Sequence, residues 1–261
     1  MYLHPYHMVH PSPWPILSSF ALLSLALSSV LMFQSTEYGM LLFVGSLLSV
    51  LGSLLFWFRD IISEGSYEGS HTSVVVKGIY IGMILFLISE AFFFLSIFWA
   101  YFHSALSPTV EIGEQWPPKG IKAINPWELP LLNTVILLSS GSTVTYAHYS
   151  FIGGNRKGTF VGMFLTILLA LLFTGLQGIE YLESSFTISD GIYGSCFYFG
   201  TGFHGLHVII GTIFLIVGLY RIYNYQLTED HHLGLEAGIL YWHFVDVVWL
   251  FLFITVYWWG S

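Results

Sequence analysis

The chain has 261 residues, of which 55% are hydrophobic, 18% aromatic and only 8% charged, and its mean hydropathy is +0.74. This composition excludes an ordinary soluble domain and predicts a polytopic membrane protein. Seven basic residues against 15 acidic ones give a formal charge of -8, which argues against nucleic-acid binding. The single cysteine, Cys196, excludes an intrachain disulfide.

Apolar stretches of membrane-spanning length recur along almost the whole chain. A spanning helix needs about 20 mostly apolar residues, and such stretches predict seven helices within a single membrane domain, residues 1–261. The predicted helices cover residues 16–33, 40–58, 73–106, 130–151, 159–183, 191–223 and 236–258. We therefore expect an all-α membrane protein whose polar residues lie mainly in the loops.

Two of these helices have sequence features that indicate how they pack. In the second, Gly45, Ser49 and Ser53 recur at every fourth position, a pattern that lets a neighbouring helix approach closely. In the fourth, the centre from Ser139 to Thr145 is rich in hydroxyl groups. We interpret the small residues of the second helix as packing positions without a chemical role.

The basic residues predict the orientation in the membrane. Seven helices place the two termini on opposite sides, and inner loops carry the excess of Lys and Arg. With the N-terminus inside, the inner side holds Arg59, Lys77, Arg156, Lys157 and Arg221, and the outer side only Lys119 and Lys122. The sequence thus predicts an inner N-terminus and an outer C-terminus.

A single carboxylic acid, Glu90, lies in the middle of the third helix. An ionised carboxylate at the bilayer centre costs about 2.5 to 3.5 kcal/mol on insertion scales. The neighbours of Glu90 three and four residues away are apolar, namely Phe86, Leu87, Phe93 and Phe94. We therefore expect Glu90 to be protonated or to pair with a group from another helix.

Further polar residues lie at a similar depth in helices 6 and 7. Counted from the inner helix ends, His204, His207, His243 and Asp246 match the depth of Glu90, which predicts one buried polar cluster. Because His243 and Asp246 are three residues apart on one helix face, a hydrogen bond between them is plausible. Two interpretations stay open. The groups satisfy each other and tie helices together, or they transfer protons or bind a ligand.

A membrane cytochrome or a transporter acting through this buried His/Glu/Asp cluster is the alternative function. Haem binding needs facing histidine pairs at matched depth, and these histidines supply at most one such site. A transporter usually has broken helices beside its site, whereas every proline lies between Pro5 and Pro130 and the helix interiors are unbroken. We therefore expect a static scaffold with no catalytic residue and no metal held by this chain alone.

Polar groups at the predicted inner helix ends indicate phospholipid binding. Trp57, Glu64 and His71 surround one turn of chain, and Arg221 closes helix 6. A cation beside an aromatic ring at headgroup depth suits a lipid phosphate. The alternative is that these residues are ordinary anchors whose long side chains reach the interface.

Four blocks of the chain, in the right order, resemble a known family. They are WFRDIISEGSYEGSHT from Trp57, LFLISEAFFFLSIFWAYFHSAL around Glu90, FGTGFHGLHVIIGT from Phe199 and YWHFVDVVWLFLF from Tyr241. All look like subunit III of cytochrome c oxidase, and the similarity covers essentially the whole chain. Its length and compact loops resemble the mitochondrial form, which implies the inner membrane, with the N-terminus in the matrix and the C-terminus in the intermembrane space.

The resemblance implies a fold and a function. It implies seven helices in which helices 1 and 2 are splayed from helices 3 to 7 around a V-shaped cleft filled with phospholipids. The parent complex, respiratory complex IV, transfers electrons from cytochrome c to O₂ and pumps protons. This chain would be a non-catalytic subunit that stabilises subunit I, binds phospholipids and supports proton uptake. Haem a, haem a3 and the copper centres would belong to partner subunits I and II, and accessory subunits would be further partners.

The resemblance also implies roles for single residues. Glu90 matches the carbodiimide-reactive glutamate of the family, which fits a protonated acid that faces a hydrophobic cleft. The implied lipid contacts are Trp57, Glu64, His71, Trp99, His207 and Arg221.

Three histidines of the N-terminal tail, His4, His7 and His10, suggest a further role. A histidine side chain titrates at about pH 6.5 when nothing perturbs it, so a cluster of three can gather protons for an uptake route in subunit I. The alternative is a flexible tail in which the histidines are accidental.

Overall fold

The computed structural model describes residues 4–261, and these residues form seven long α-helices. The helices are α1 Trp14–Phe33, α2 Gly39–Ser66, α3 Ser73–Ala105, α4 Leu129–Ile152, α5 Arg156–Glu183, α6 Gly191–Tyr223 and α7 Leu233–Leu252. A 3-10 turn at Val110–Ile112 lies in the long loop, and a π-helical segment, Phe253–Trp258, continues α7. The prediction of an all-α membrane protein is confirmed.

Six of the helices in the described part of the chain are long and apolar enough to cross a membrane. The exception is α4, whose polar residues lower its hydropathy. Three of these residues, Asn133, Thr134 and Ser140, are buried. The hydroxyls of Thr134 and Ser140 therefore lie where a neighbouring helix supplies hydrogen-bond donors.

The largest error of the sequence prediction concerns the end of α2. The prediction ended this helix at Phe58, where the first charges appear, but the helix continues to Ser66. Apolar length measures the membrane-embedded part of a helix, whereas charged and polar residues such as Arg59 and Glu64 are good helix formers outside it. The extra two turns carry acidic side chains that the prediction assigned to a loop.

Residues 4–79 form one compact unit, in which α1 packs against α2. The Ser28 and Ser46 hydroxyls, 2.7 Å apart, join the two helices. The buried face of α2 contains Ser46, Val50 and Ser53. A side chain at Gly45, by contrast, would meet nothing within 4 Å. The predicted stripe of small residues was therefore correct at Ser53 and wrong at Gly45 and at Ser49, which is exposed. Several small residues on α2 fit the spacing, and only packing selects among them.

Residues Tyr80–Ser261 form a second compact unit, in which α4, α5, α6 and α7 pack around an aromatic core. Trp242 and Trp249 of α7 are fully buried. Their indole N–H groups donate to Ser140 Oγ at 3.0 Å and to Thr134 Oγ1 at 2.9 Å, both on α4. The hydroxyls of α4 are thus the partners that allow two tryptophans to be buried in the core.

Candidate functional site

The centre of the candidate site is an acid–imidazole pair between α3 and α6. Glu90 Oε2 lies 2.9 Å from His207 Nε2. The exposed fraction is 22% for the Glu90 side chain and 9% for the His207 side chain. The structure thus supplies, from 117 residues further along the chain, the partner that the flanking turns of α3 do not offer.

The hydrogen bonds of His207 define where its protons lie. Its Nδ1 is 2.7 Å from the carbonyl oxygen of Phe203, one turn earlier on α6. A carbonyl only accepts, so Nδ1 carries a proton and donates it. One further proton then lies between Nε2 and the Glu90 carboxyl group, as a carboxylic acid beside imidazole or as a carboxylate beside imidazolium. In both forms the pair is neutral overall, and an isolated membrane charge is avoided.

Aromatic rings enclose the pair. Phe94 packs edge-on against the His207 ring at a centroid distance of 5.1 Å, and Tyr241 of α7 stacks on it at 6.1 Å. Phe86 in turn stacks on Tyr241 at 6.3 Å. These rings lower the local dielectric constant, which strengthens a satisfied hydrogen bond and raises the cost of an unsatisfied one.

His204 occupies a different environment, one turn away on α6. Its side chain is buried, and its Nε2 lies 3.2 Å from the carbonyl oxygen of Val245 on α7. Its ring packs against Trp249 and Phe173, at 5.1 and 5.6 Å. These contacts tie α6 to α7 and α5.

His243 and Asp246 lie where α7 packs against α4. Asp246 Oδ2 is 3.6 Å from His243 Nδ1, and His243 Nε2 is 3.3 Å from Thr145 Oγ1. Gly141 makes room for the acid, because a Cβ at that position would lie 2.6 Å from Asp246 Oδ2. The five residues expected in one cluster thus lie in three places, at the Glu90–His207 pair, at His204 and at the His243–Asp246 contact.

In the first unit, the N-terminal tail is docked on an acidic stripe, which we define as Asp60, Glu64 and Glu68. His7 Nε2 lies 3.1 Å from Glu64 Oε2, and His10 Nε2 lies 3.7 Å from Glu68 Oε2. Asp60 and Glu64 are one turn apart on α2, which places them on one side of the helix, and Glu68 follows just beyond the helix end. The tail therefore runs beside charges that would otherwise repel each other.

Two further contacts hold the tail in place. The Trp14 indole N–H donates to Asp60 Oδ2 at 2.5 Å, and the Thr72 hydroxyl donates to the Pro5 carbonyl. His4 makes a local contact instead, with its Nδ1 3.2 Å from the carbonyl oxygen of Tyr6. The three tail histidines are therefore not equivalent.

The candidate lipid residues lie in both units. In the first, His71 packs against α2, where a Cβ on Gly65 would lie 2.7 Å from its Nδ1, and its ring meets the His7 ring at 5.9 Å. Trp57 is half-buried and Glu64 holds His7.

In the second unit, Trp99 is 72% exposed, which suits contact with acyl chains. Arg221 lies against the start of α7, because a Cβ on Gly234 would be 2.7 Å from its Nη1. Both nitrogens of His207 already have partners, so its geometry favours positioning Glu90 over binding a headgroup.

A second buried acid, Glu180 on α5, escaped the sequence prediction. It is 2% exposed, and its Oε1 accepts from the Tyr257 hydroxyl at 2.6 Å and from Gln177 Nε2 at 3.1 Å. The sequence predicts only a helix over residues 159–183 here. The spacing of Gln177 and Glu180 by three residues was the available signal, because it places an amide and an acid on one helix face.

Comparison with known proteins agrees with this picture. A protein-family model described as cytochrome c oxidase subunit III matches residues 4–261. Proteins named cytochrome c oxidase subunit 3 from Podospora anserina and Pyricularia grisea are each 64% identical over 258 residues, which is 99% of this chain and 96% of theirs. The namesake protein of Emericella nidulans is 63% identical over 257 residues, 98% of this chain and 96% of its own. The chain therefore belongs to the cytochrome c oxidase subunit III family, whose members are membrane subunits of respiratory complex IV.

Proposed function

We propose that this chain is a non-redox subunit of cytochrome c oxidase that stabilises subunit I, holds structural phospholipids and supports proton uptake. The complex oxidises cytochrome c, reduces O₂ and pumps protons. Haem a, haem a3 and copper belong to partner subunits I and II, and accessory subunits complete the assembly. The chain lies in the mitochondrial inner membrane, with its N-terminus in the matrix and its C-terminus in the intermembrane space.

The observation that carries the proposal is the 64% identity to a cytochrome c oxidase subunit 3 over nearly the full length of both chains. The site geometry supports a scaffold, because each residue of the expected cluster has a polar atom within 3.6 Å of a polar atom of another residue. Glu90 and His207 hold each other, and His204 holds a backbone carbonyl. The membership of this family does not favour a membrane cytochrome or transporter that acts by itself.

The experiment is a native purification in mild detergent through a tag on this chain. We expect haem a absorbance and two larger redox subunits to co-purify, and the absorbance to disappear when this chain is isolated alone. A haem spectrum that stays with the isolated chain, or solute transport by it, would overturn the proposal.

Phospholipid binding is the first specific part of this proposal. It is supported by an imidazole at the end of α2 and a guanidinium at the start of α7, His71 and Arg221, which are groups that can contact a phosphate. Replacing either by alanine should lower the phospholipid content of the purified complex and shorten its lifetime during turnover. The controls are His103→Ala and Lys157→Ala, which remove an exposed histidine and an exposed cationic side chain. Unchanged lipid content and lifetime in both test variants would contradict this part.

Proton collection by His4, His7 and His10 is the second part. The contacts of His7 and His10 with acids provide neighbouring proton donors and acceptors along the tail. Because His7 also anchors the tail, the informative variant replaces all three histidines by glutamine, which keeps hydrogen bonding but cannot titrate. We expect the pH profile of proton uptake to change. An unchanged profile would leave the tail with an anchoring role only.

A further inference from the structure

Three potential metal ligands from distant parts of the chain meet where α4 ends and α7 begins. His148 lies in the last turns of α4, His232 immediately precedes α7, and Glu236 is in the first turn of α7. One ligand atom from each lies within 4.8 Å of the other two. Neither the scaffold nor the lipid and proton roles proposed above use these residues.

The distances fit a tetrahedral metal ion. His232 Nε2 lies 3.4 Å from His148 Nε2 and 3.4 Å from Glu236 Oε1. Metal–ligand bonds of about 2.0 to 2.1 Å in tetrahedral zinc sites place neighbouring ligand atoms about 3.3 to 3.4 Å apart. The two short edges of the triangle already match this spacing, and rotation of the half-exposed Glu236 side chain can adjust the third.

The backbone around His232 sets the proton position that a ligand needs. Residues Thr228 and His231 form a tight turn, and His232 Nδ1 lies 3.2 Å from the Thr228 carbonyl oxygen. A carbonyl only accepts, so Nδ1 carries the proton and the Nε2 lone pair of the neutral ring is available. A bond from the second ring nitrogen to a backbone carbonyl is the usual support of a metal-binding histidine.

The lone pair of His232 and the carboxylate of Glu236 then face each other. Two acceptors 3.4 Å apart repel unless a cation lies between them. The ring of Phe151 packs edge-on against the His232 ring at 5.1 Å and fixes its plane. Because the Glu236 side chain is 43% exposed, an ion can enter from that side.

We propose that His148, His232 and Glu236 form a binding site for a divalent transition-metal ion, for which Zn²⁺ is the suitable probe. Two imidazoles and one carboxylate suit zinc and its neighbours in the first transition row, whereas magnesium and calcium prefer oxygen ligands alone. Three protein ligands leave the fourth position of a tetrahedral ion for water. A bound ion joins the end of α4 to the start of α7.

The test measures zinc binding to the assembled oxidase purified through this chain. Complexes with the wild-type chain and with Glu236→Gln are treated with a chelator and titrated with radioactive Zn²⁺. We expect one more ion per complex to bind to the wild type than to the variant at the same free zinc concentration. Glu236→Gln keeps the size of a half-exposed side chain, so assembly should persist, and haem a absorbance verifies it.

The matched control is His231→Gln, because His231 is the neighbouring histidine and is not one of the three ligands. It should bind zinc as the wild type does, and His232→Gln should lose the additional ion. X-ray absorption at the zinc edge of the loaded wild type, after subtraction of the chelated complex, should show two imidazoles. Equal zinc binding by the wild type and Glu236→Gln would overturn the proposal and indicate that only a proton occupies the cluster. A loss of zinc in His231→Gln as large as that in Glu236→Gln would also overturn it.

Discussion

At the residue scale, the main feature is that Glu90 and Glu180 each have a hydrogen-bond partner from a distant part of the chain. Glu90 and His207 share a proton across two helices, because the second nitrogen of His207 is committed to a backbone carbonyl. Glu180 receives two donors in the same way, from Tyr257 and Gln177. Each acid is tolerated in an apolar helix because its hydrogen-bond partners are supplied by the fold.

Replacing Glu90 tests whether its hydrogen bond or its charge matters for stability. Glu90→Gln keeps a donor, since the amide can donate to His207 Nε2, and should change stability by less than about 1 kcal/mol. Glu90→Ala leaves His207 Nε2 buried without its partner and should cost about 1 to 3 kcal/mol. The measurement is thermal inactivation of the assembled oxidase. Equal losses for the two variants would show that the carboxyl group itself is required.

At the element scale, close helix packing depends on particular glycines. Gly162 of α5 lies against α4, and a Cβ there would stand 2.8 Å from Ala147 Cβ and 2.9 Å from the Thr143 carbonyl oxygen. Gly175, on the same helix, has open space around the corresponding position. The two glycines are similar in sequence context, and only the first is needed for packing.

This difference predicts unequal effects of alanine. Gly162→Ala should destabilise the protein by about 1 to 3 kcal/mol, because backbone atoms of α4 must move to admit the methyl group. Gly175→Ala should be neutral or slightly stabilising, because alanine is the better helix former. The measurement compares the thermal inactivation of the complexes that carry Gly162→Ala and Gly175→Ala. A Gly175→Ala loss as large as that of Gly162→Ala would contradict the packing argument.

The tail and the acidic stripe form a second, separable element. Glu64→Gln removes the charge that attracts His7 and should raise the rate of proteolytic cleavage within residues 4–13 by about 1.4-fold to fivefold. This range corresponds to an ion pair worth about 0.2 to 1 kcal/mol. Glu37→Gln, an acid in the loop between α1 and α2, is the control. If the cleavage rate is the same in both variants, the His7–Glu64 contact does not hold the tail.

At the scale of the whole molecule, the number of membrane crossings depends on α4. Among the described residues, hydropathy selects six helices and omits α4, whereas the buried polar face of α4 indicates that it lies among the other helices of its unit. Seven crossings place the termini on opposite sides of the membrane, and six place them on the same side.

Labelling with a membrane-impermeant maleimide distinguishes these topologies in mitoplasts. In a Cys196→Ser background, Ser261→Cys should react from outside, and Ser12→Cys should react only after the membrane is permeabilised. Asn125→Cys, in the long loop, is the control and should behave as Ser261→Cys does. Reaction of both termini from the same side would show that one of the seven helices does not cross.

The sequence by itself determined the protein class, the seven helices and the presence of Glu90 in an apolar helix. These properties depend on local composition, which is read directly from consecutive residues. The end of α2 was predicted wrongly for a related reason, because loss of apolar character marks the membrane surface and not the end of a helix.

Only the tertiary structure decided which polar residues meet. The predicted cluster contained the right partner for Glu90, but nothing in the spacing separated His207 from His204, which are one turn apart on the same helix. The sequence led us to expect no metal held by this chain, and nothing in it connected His148 with His232 and Glu236, which lie far from it along the chain. Contacts such as that between His148 and His232, 84 residues apart, depend on how helices cross and rotate, and that geometry results from side-chain packing over the whole unit.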